Sequence, residues 1–378
     1  MKNKIRYIYF IFSIIFKSKW DLKIPQKRKI LLIDGLYNPF TKYFKNSDFN
    51  ILYRRGEKIN LPIVIQCIKE LRITSENYYK KFIEYSKPKI ILTAFDHYPI
   101  FYKLSRLTGI KTLMLQRGKR TWQDGIFANK EVTNKKNKKN NYVDYILTHT
   151  EKTAEIYKTF IQGNYKIIGS FENNIGKKLL KKKKKEILYI SNVKFDENNK
   201  IMPLNQFDHI VIKKIQELSL DNKLKFNIMG RHKYNKTHLE ILYYKKVLNK
   251  PFNFINKNSN KDSYKVIKNY EYIFTDYSTM GVETLASGSK VGFIFYKPQV
   301  KKLFDLRLGK FEGLKSSGPF WTAFYNYNGS EINRVFNFVV KSSNLKWTQI
   351  RKKYSSFFMA YDEGNKIFLN IIKKTLKK

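Results

Sequence analysis

Short apolar runs alternate with helical stretches along most of this chain, and that alternation restricts the fold more than any other feature. In the first half the runs lie at 29–34, 89–94, 111–116, 143–149 and 165–170, with helical stretches near 61–72, 76–86, 98–108 and 150–161. In the second half the runs lie at 186–191, 224–230, 271–276 and 290–295, with helical stretches near 206–219, 236–248, 259–268 and 279–287. Strands separated by helices indicate right-handed βαβ units and a parallel sheet. We predict an α/β fold with two doubly wound Rossmann-type domains and a cleft between them.

A run of lysines divides the two halves. Residues 177–186 (KKLLKKKKKE) follow Gly176 and are typical of a linker or an exposed turn. We therefore predict a first Rossmann-like domain over 21–176 and a second over 187–345, followed by a helical tail over 346–378. In doubly wound folds a ligand lies at the carboxyl ends of the strands, so the strand-to-helix loops are where a site is expected.

The chain carries a formal net charge of +45, and its basic residues are 63 lysines and 12 arginines. Specific nucleic-acid sites favour arginine, whose planar fork makes bidentate contacts, so the lysine excess argues against a nucleic-acid partner. A strongly basic surface attracts anionic lipid headgroups and anionic substrates, and we expect an anionic membrane surface as a partner.

The single cysteine, Cys67, excludes an intramolecular disulfide and a cysteine-based zinc cluster.

The amino terminus contains a short apolar segment. Residues 7–16 (YIYFIFSIIF) are flanked by basic residues, and a segment of this length is too short to cross a bilayer. The small-residue cleavage site of a signal peptide does not follow it. Two interpretations stay open, an interfacial membrane helix over 1–20 and a first helix that packs on the core.

The loop with the clearest chemical pattern lies in the segment 275–295 (TDYSTMGVETLASGSKVGFIF). A buried strand ends at Asp276, a polar turn follows, and a helix begins near Thr279. Ser278 and Thr279 are suited to cap that helix, whose free amides and positive dipole end favour a phosphate. Glu283 lies one turn further on, where a carboxylate can accept hydrogen bonds from ribose hydroxyls. The pattern predicts a nucleotide site.

This segment resembles the nucleotide-sugar-binding region of GT-B glycosyltransferases, especially the bacterial sialyltransferase and Kdo-transferase type and related surface-carbohydrate biosynthesis proteins. The resemblance implies a first domain that binds the acceptor, a second that binds the nucleotide sugar, and direct displacement with inversion. It also implies a CMP-activated acidic sugar as donor, without a metal or cofactor. The sequence has no D-x-D, G-x-G-x-x-G or G-x-x-x-x-G-K-[ST] motif, which argues against the other large glycosyltransferase fold, NAD oxidoreductases and P-loop NTPases.

Three short motifs of those families have counterparts here. The acidic-Gly motif corresponds to 123–125 (QDG) and implies that Asp124 is the general base that takes the proton of the acceptor hydroxyl. The His-Pro motif corresponds to His232, followed by Lys233. It implies a hydrogen bond from His232 to the leaving phosphate, with Arg231 and Lys233 adding positive charge. The Ser-Ser/Thr motif corresponds to Ser278 and Thr279.

Further substrate-binding candidates follow strands of the first half. Arg117 and Arg120 flank the acidic-Gly loop and are suited to hold a sugar carboxylate by bidentate contacts. Asp96 and His97 are the reserve candidates for the base, and Gly35 would allow an acceptor to approach closely. Residues 318–321 (GPFW) also resemble surface-carbohydrate proteins.

We predict a cytoplasmic glycosyltransferase, peripheral on the inner face of the cell membrane, that acts in surface polysaccharide or lipopolysaccharide synthesis. Its expected partners are a nucleotide-sugar donor and a glycan or lipid-linked acceptor. Three alternatives stay open. They are a CDP-glycerol-type polyol-phosphate transferase, which shares a T-D-Y-S-like turn, a nucleotide-sugar 2-epimerase of the same fold, and a non-catalytic basic protein that binds membrane or nucleic acid.

Overall fold

The computed structural model describes residues 18–35, 38–96, 98–118, 129–175, 184–202, 205–232, 236–256, 260–276, 278–296, 298, 315–355 and 357–377. Within these residues the chain forms a six-stranded parallel sheet in its first half and a seven-stranded, mostly parallel sheet in its second half. Helices alternate with the strands along the chain. The predicted α/β class, with two Rossmann-like sheets, is confirmed.

The strands of the first half are β1 Lys19–Asp21, β2 Ile30–Ile33, β3 Phe49–Leu52, β4 Lys58–Asn60, β5 Ile90–Thr93, β6 Lys111–Leu115, β7 Tyr142–Thr148 and β8 Gln162–Ile167. The six-stranded sheet has the order β3-β2-β5-β6-β7-β8, and all its pairs are parallel. Strands β1 and β4 pair with each other in parallel as a separate ribbon. Since β2 leads first to β3 on one side and then to β5 on the other, the strand order reverses at the β2/β5 pair.

The strands of the second half are β9 Lys184–Ile190, β10 Phe226–Met229, β11 Asn253–Ile255, β12 Tyr270–Thr275, β13 Lys290–Tyr296, β14 Ser317–Gly318 and β15 Trp321–Phe324. Their order is β11-β10-β9-β12-β13-β15-β14, and only the β14/β15 pair is antiparallel. The strand order here reverses at the β9/β12 pair. A Rossmann sheet binds its ligand at such a reversal point, beyond the carboxyl ends of the two strands.

The helices of the first half are α1 Leu61–Lys69, α2 Ser75–Ser86, α3 Phe101–Thr108, α4 Lys130–Thr133, α5 Glu151–Tyr157 and α6 Phe171–Asn174. Those of the second half are α7 Asp208–Asp221, α8 Thr237–Val247, α9 Asn260–Lys268, α10 Thr279–Ala286, α11 Gly329–Lys341, α12 Asn344–Lys353 and α13 Lys366–Lys377. Short 3-10 turns lie at Pro39–Lys42, Lys135–Asn137 and Glu363–Asn365. Several helices start at a capping side chain, as where Thr74 accepts a hydrogen bond from the Asn77 amide at the start of α2.

The predicted alternation of strands and helices is present, with element ends shifted by a few residues. The short strands β1, β3, β4, β11, β14 and β15 are not predicted from the sequence. The predicted end of the lysine-rich linker lies too late, because Lys184 to Glu186 already belong to β9. Residues 177–183 lie outside the described residues. Helix α12 begins at Asn344, so it already includes residue 346, at which the helical tail is predicted to start.

The carboxyl-terminal helix α13 packs on the first sheet, although it follows the second sheet in the chain. Phe368 is fully buried in the core that also contains Ile30 and Leu32 of β2. Its ring centre lies 5.3 Å from that of Phe40 and 5.0 Å from that of Phe171. The tail therefore ties the two halves together by burying apolar surface against the half from which it is most distant in sequence.

A helix at the amino terminus would have to end earlier than predicted. Residues 19–21 form β1, so the helix predicted over 1–20 does not reach residue 20. The apolar segment 7–16 lies outside the described residues. In the described part of the chain, no helix has both the length and the apolar character needed to span a bilayer.

Replacing Phe368 by Ala should lower the free energy of unfolding by about 3–5 kcal/mol, because a fully buried ring leaves a cavity between α13 and the first sheet. The matched control is Leu369→Ala on the same helix, where the side chain is 40% exposed and the expected loss is below about 1 kcal/mol. Urea denaturation of both variants measures the difference. Equal losses in the two variants would contradict the packing of α13 on the first sheet.

Candidate functional site

Polar side chains follow the strands on either side of the reversal point of the second sheet. Asn192 lies two residues after the end of β9, Arg231 and His232 follow β10, and Asp276 comes directly after β12. Since the carboxyl ends of parallel strands lie at one edge of the sheet, these side chains are brought together. Of the four, Arg231, His232 and Asp276 are predicted from the sequence, and Asn192 is not.

A hydrogen-bonded row crosses this edge. The Arg231 guanidinium (Nη1) donates to Oδ1 of Asn192, and Nδ2 of Asn192 donates to Oδ2 of Asp276 over 3.4 Å. Asn192 and Asp276 are buried, whereas Arg231 is exposed. The row thus joins a buried carboxylate to an exposed guanidinium through one amide. Such an arrangement holds the guanidinium at the edge of the sheet, where an anion can reach it.

Glu240 of helix α8 holds the loop that carries Arg231 and His232. Its carboxylate is fully buried and accepts hydrogen bonds from the backbone amide of Arg231 at 2.9 and 3.0 Å and from that of His232 at 3.0 Å. It also accepts from the hydroxyl of Ser191. A Cβ at Gly230 would lie 3.1 Å from this carboxylate and 2.6 Å from the ring of Phe254, so only glycine leaves room for the contact. Glu240 is not predicted from the sequence, because a Glu within a helix usually faces solvent.

His232 is half-buried and oriented by the end of β9. Its Nε2 lies 3.0 Å from the carbonyl oxygen of Val193, and its ring packs against Phe195 with centres 5.3 Å apart. Because a carbonyl oxygen only accepts, Nε2 carries the proton and Nδ1 is the free lone pair of the neutral ring. Burial lowers the pKa of His232, and the negative charge of Glu240 opposes that effect. The ring is therefore neutral at pH 7 and becomes a donor at Nδ1 only when it takes up a proton.

Helix α10 begins at Thr279, as predicted, with Ser278 at the N-cap position. The predicted side-chain cap is not formed, because Ser278 makes no capping hydrogen bond to the first turn. Ser278 is half-buried and Thr279 is exposed. The start of this helix is thus open to a ligand that accepts hydrogen bonds from its amides.

Glu283 lies at the junction of the two halves. The residue is 7% exposed, and its carboxylate accepts a hydrogen bond of 2.5 Å from Ser170, which follows β8, and one of 2.8 Å from Tyr264 of α9. Asn173 of the first half donates to the Glu283 backbone carbonyl over 2.8 Å. Burial raises the pKa of Glu283 to about 7, and the hydrogen bonds from Ser170 and Tyr264 oppose the rise. The contact with ribose hydroxyls stays a prediction, and in this structure both carboxylate oxygens already accept hydrogen bonds from the protein.

At the edge of the first sheet, two residues predicted to bind substrate are closely packed by the protein. Asp96 follows β5 and is fully buried, and its carboxylate accepts a hydrogen bond of 2.9 Å from Tyr157. The role of Asp96 as a reserve base stays a prediction. A Cβ at Gly35 would lie 3.1 Å from the side chains of Ile51 and Tyr53, so the space beside this glycine is filled by the protein itself.

Arg117 follows β6 and is exposed, as a substrate-binding residue needs to be. Asp124, Arg120, Lys233 and His97 lie outside the described residues, and their roles stay predictions. Among the residues that the structure describes, no group of three or more His, Cys, Asp or Glu side chains is arranged to hold a metal ion.

The GPFW segment at 318–321 belongs to the core. Phe320 and Trp321 are almost completely buried, and Phe358 lies against both rings, with centres 5.3 and 5.7 Å away. Trp347 also lies against Phe320, with centres 5.4 Å apart. This segment therefore packs the second sheet against α12 and the chain that follows it.

Comparison with known proteins identifies the family. Residues 113–376, well over half of the chain, match a family model described as "putative O-antigen biosynthesis protein". The chain belongs to this family. No curated protein sequence gave a significant match.

Comparison with solved structures shows the fold of this chain. A variant of the wall teichoic acid polymerase TagF is 13% identical over 93% of this chain and 90% of that chain, with a TM-score of 0.52. MnaA of S. aureus, solved with UDP, is 12% identical over 93% and 97%, with a TM-score of 0.51. MurG of Acinetobacter baumannii is 11% identical over 92% and 99%, with a TM-score of 0.51. At such low identity these similarities establish the fold alone, and it is of the GT-B type.

The buried Glu283 predicts a pH-dependent stability. Its pKa is raised from the ordinary value of 4.5 to about 7 in the folded protein, so the protonated form is favoured by folding. The stability that it contributes is fully present below pH 4.5 and is lost as the pH rises through 7. Relative to Glu283→Gln, the wild-type free energy of unfolding should fall by about 3 kcal/mol between pH 4.5 and 8, since one pKa unit corresponds to about 1.4 kcal/mol.

Urea denaturation across that pH range measures the difference. The control is Glu217→Gln, because the Glu217 side chain is 57% exposed and lies on the surface of α7 beside Lys214. This variant should follow the wild-type pH profile. A Glu283→Gln profile parallel to that of the wild type would show that the carboxyl group does not change its protonation between these pH values.

Proposed function

We propose that this protein is a metal-independent glycosyltransferase that transfers a sugar from a nucleotide-activated donor to a surface polysaccharide or lipopolysaccharide acceptor. The observation that carries the proposal is the Arg231–Asn192–Asp276 row at the reversal point of the second sheet, with His232 beside it. Membership of the O-antigen biosynthesis family and the GT-B fold support it. Phosphate groups of a nucleotide need cations and amide donors at one place, and this edge offers both.

On the donor side, each residue has a distinct task. Arg231 and the open start of α10 at Ser278 and Thr279 bind the phosphates. His232 donates from Nδ1 to a phosphate oxygen once the ring is protonated, and the negative charge of the phosphate raises its pKa and favours that form. As the bond to the sugar breaks, charge grows on the leaving phosphate, and these groups stabilise it. In this proposal Asp276 keeps Asn192, and through it Arg231, in place.

On the acceptor side, the proposal rests on the resemblance of 123–125 to the acidic-Gly motif. Asp124 takes the proton of the acceptor hydroxyl while that oxygen attacks the anomeric carbon, and the nucleotide leaves from the opposite face, so the configuration inverts. The acceptor is a glycan or a lipid-linked glycan. The net charge of +45 and the apolar segment 7–16 support a peripheral position on the anionic inner face of the cell membrane.

The donor is proposed to carry cytidine. By resemblance to sialyl- and Kdo-transferases it is a CMP-activated acidic sugar. The second candidate is a polyol-phosphate transferase of the CDP-glycerol type, which the T-D-Y-S turn at 275–278 and the fold shared with TagF favour. One TagF structure of this fold, with a TM-score of 0.50, was obtained after soaking with CDPG.

Nucleotide binding tests the donor site. CMP and CDP should raise the melting temperature of the protein more than UDP and GDP at equal concentration, because a ligand that binds the folded state stabilises it.

His232→Ala should weaken cytidine nucleotide binding about tenfold or more, since one charge-assisted hydrogen bond contributes roughly 1.5–3 kcal/mol. The affinity of the wild type for cytidine nucleotides should rise as the pH falls from 8 to 6. In His232→Ala the affinity should change little over this pH range.

His238→Ala is the matched control, because His238 is an exposed histidine at the start of α8. It should keep both the affinity and its pH dependence. An equal response to all four nucleotides would contradict the cytidine assignment. Unchanged affinity in His232→Ala would contradict the assignment of the donor phosphate to this edge.

Asp124→Asn separates an enzyme from a binding protein. Asn keeps the size of the side chain and removes the proton acceptor, and loss of a general base typically costs on the order of 10²–10⁴ in rate. Transfer should therefore fall by that factor, while nucleotide affinity stays at the wild-type value. Both are measured on one purified variant whose folding is checked by its melting temperature. Transfer at the wild-type rate would show that Asp124 is a turn residue without a part in the chemistry.

A non-catalytic basic protein would behave differently in the same assays. It would show no transfer with any cytidine donor, and its binding to anionic vesicles or nucleic acid would weaken steeply with added salt. Turnover of the donor in the wild type excludes this alternative.

A further inference from the structure

Three arginines meet around one phenylalanine at the carboxyl edge of the first sheet. The guanidinium carbon of Arg54 lies 5.2 Å from the ring centre of Phe95, and those of Arg55 and Arg117 each lie 5.8 Å from it. Arg54 also lies over the ring of Tyr98, at 5.1 Å. Phe95 itself is buried. With only 12 arginines in 378 residues, three around one ring is a marked concentration of the side chain best suited to bidentate contacts.

The position of this arginine cluster in the sheet is that of a ligand site. Arg54 and Arg55 follow β3, Phe95 follows β5, and Arg117 follows β6. Between β3 and β5 lies β2, which ends next to Asp34, so the cluster spans the point at which the strand order reverses. This is the place at which doubly wound sheets bind their ligands. No role for Arg54 or Arg55 is predicted from the sequence.

Two carboxylates of the described residues lie close to Arg54 and Arg55. Asp34 is fully buried, and its Oδ2 lies 3.7 Å from Nε of Arg54 and 3.5 Å from Nε of Arg55. Glu57 lies 4.0 Å from Nε of Arg55. These distances are those of ion pairs and exceed hydrogen-bonding distance, so the carboxylates attract the guanidinium groups without using up their donors. Among the described residues, Nε of Arg54 has no hydrogen-bond partner.

The outer face of the cluster is open to solvent. The Arg55 side chain is 50% exposed, and Arg117 is also exposed, whereas the Arg54 side chain is 17% exposed. The chain before Arg117 is anchored by Gln116, whose side-chain carbonyl accepts from the backbone amide of His149 at 2.9 Å and whose amide donates to the Gly118 carbonyl at 2.9 Å. Two exposed guanidinium groups are thus held on an ordered base formed by Phe95, Asp34 and Gln116.

We propose that the Arg54–Arg55–Arg117 cluster binds a phosphate or diphosphate group of the acceptor. A carboxylate offers two oxygens, whereas a terminal phosphate offers three and a diphosphate more, so phosphate matches three convergent guanidinium groups better. Naming the acceptor as the source rests on the proposed function. The anion site itself rests on the geometry of the first sheet alone.

Isothermal titration with inorganic pyrophosphate at constant ionic strength tests the site, and substitutions in the cluster separate it from the edge of the second sheet, which they leave unchanged. Arg55→Ala and Arg117→Ala should each weaken pyrophosphate binding about tenfold, because each removes one charge-assisted contact, and about 1.4 kcal/mol corresponds to a factor of ten. Arg55→Lys keeps the charge but not the fork, and should recover only part of the affinity.

Arg106→Ala is the matched control for non-specific attraction to this basic protein. Arg106 is also an exposed arginine of the first half, stacked 5.6 Å from the ring centre of Tyr142. Its replacement should leave pyrophosphate affinity unchanged. An equal loss in Arg106→Ala, or no loss in Arg55→Ala and Arg117→Ala, overturns the site.

Acetate at the same ionic strength distinguishes the chemistry. Acetate bound as tightly as pyrophosphate through Arg55 and Arg117 overturns the phosphate assignment in favour of a carboxylate. The titration involves no transfer step, so a failure of the proposed glycosyltransferase activity would leave its outcome unchanged. Conversely, an enzyme that transfers sugar but shows no pyrophosphate binding at these arginines retains its proposed function and loses this site.

Discussion

A buried carboxylate determines how the two halves of the molecule meet. Glu283 of helix α10 accepts one hydrogen bond from Ser170 of the first half and another from Tyr264 of the second. A carboxyl group removed from water is tolerated only where donors reach it, and here the donors come from both halves. A buried uncharged side chain makes a second contact of this kind. Asn365, which follows the second sheet, donates a hydrogen bond of 2.9 Å to the carbonyl oxygen of Phe171 in the first half. The chain that follows β8 is therefore held against helix α10 of the second half.

The basic residues divide into two populations with different consequences. Several lysines pair with exposed carboxylates along helices, as Lys80 does with Glu84, and such pairs contribute little to stability. Arginines occupy the edges of both sheets, where Arg54 and Arg55 follow β3 and Arg231 follows β10. The large net charge thus favours encounters with anionic surfaces, while the small number of arginines provides directional contacts. Counting charges from composition could not separate these two roles.

Whether a strand can be predicted from the sequence depends on how completely its side chains are buried. Strand β2 (ILLI) is buried at every position and reads as an unbroken apolar run, as expected for the centre of a parallel sheet. Strand β11 (NFI) lies at an edge, has only three residues and is nowhere fully buried, so its pattern does not differ from that of a loop. The crossing of α13 to the first sheet depends on contacts distant in sequence. Helix periodicity shows that an apolar face exists but not which sheet covers it.

The same reasoning applies to the candidate site. Arg231, His232 and Asp276 lie within three residues of the ends of buried strands, so the apolar runs themselves predict their place at the edge of a parallel sheet. Glu240 could not be predicted, because its burial depends on the approach of α8 to the loop at Gly230. The position of Glu283 on its helix is predictable, but its hydrogen bond to Ser170 joins residues 113 apart in sequence, and no local pattern encodes that contact.

That contact also constrains how a nucleotide could use Glu283. A ribose presents two hydroxyl donors, the same chemistry that Ser170 and Tyr264 already supply to the carboxylate. Exchanging two protein hydroxyls for two ribose hydroxyls keeps the number of hydrogen bonds, so the exchange costs little in hydrogen bonding. Glu283 is only 7% exposed, however, and a ribose hydroxyl can replace one of these contacts only if Ser170 or Tyr264 moves away. A donor whose ribose binds Glu283 must therefore displace Ser170 or Tyr264, whereas a donor held only by Arg231, His232 and the start of α10 leaves both contacts in place.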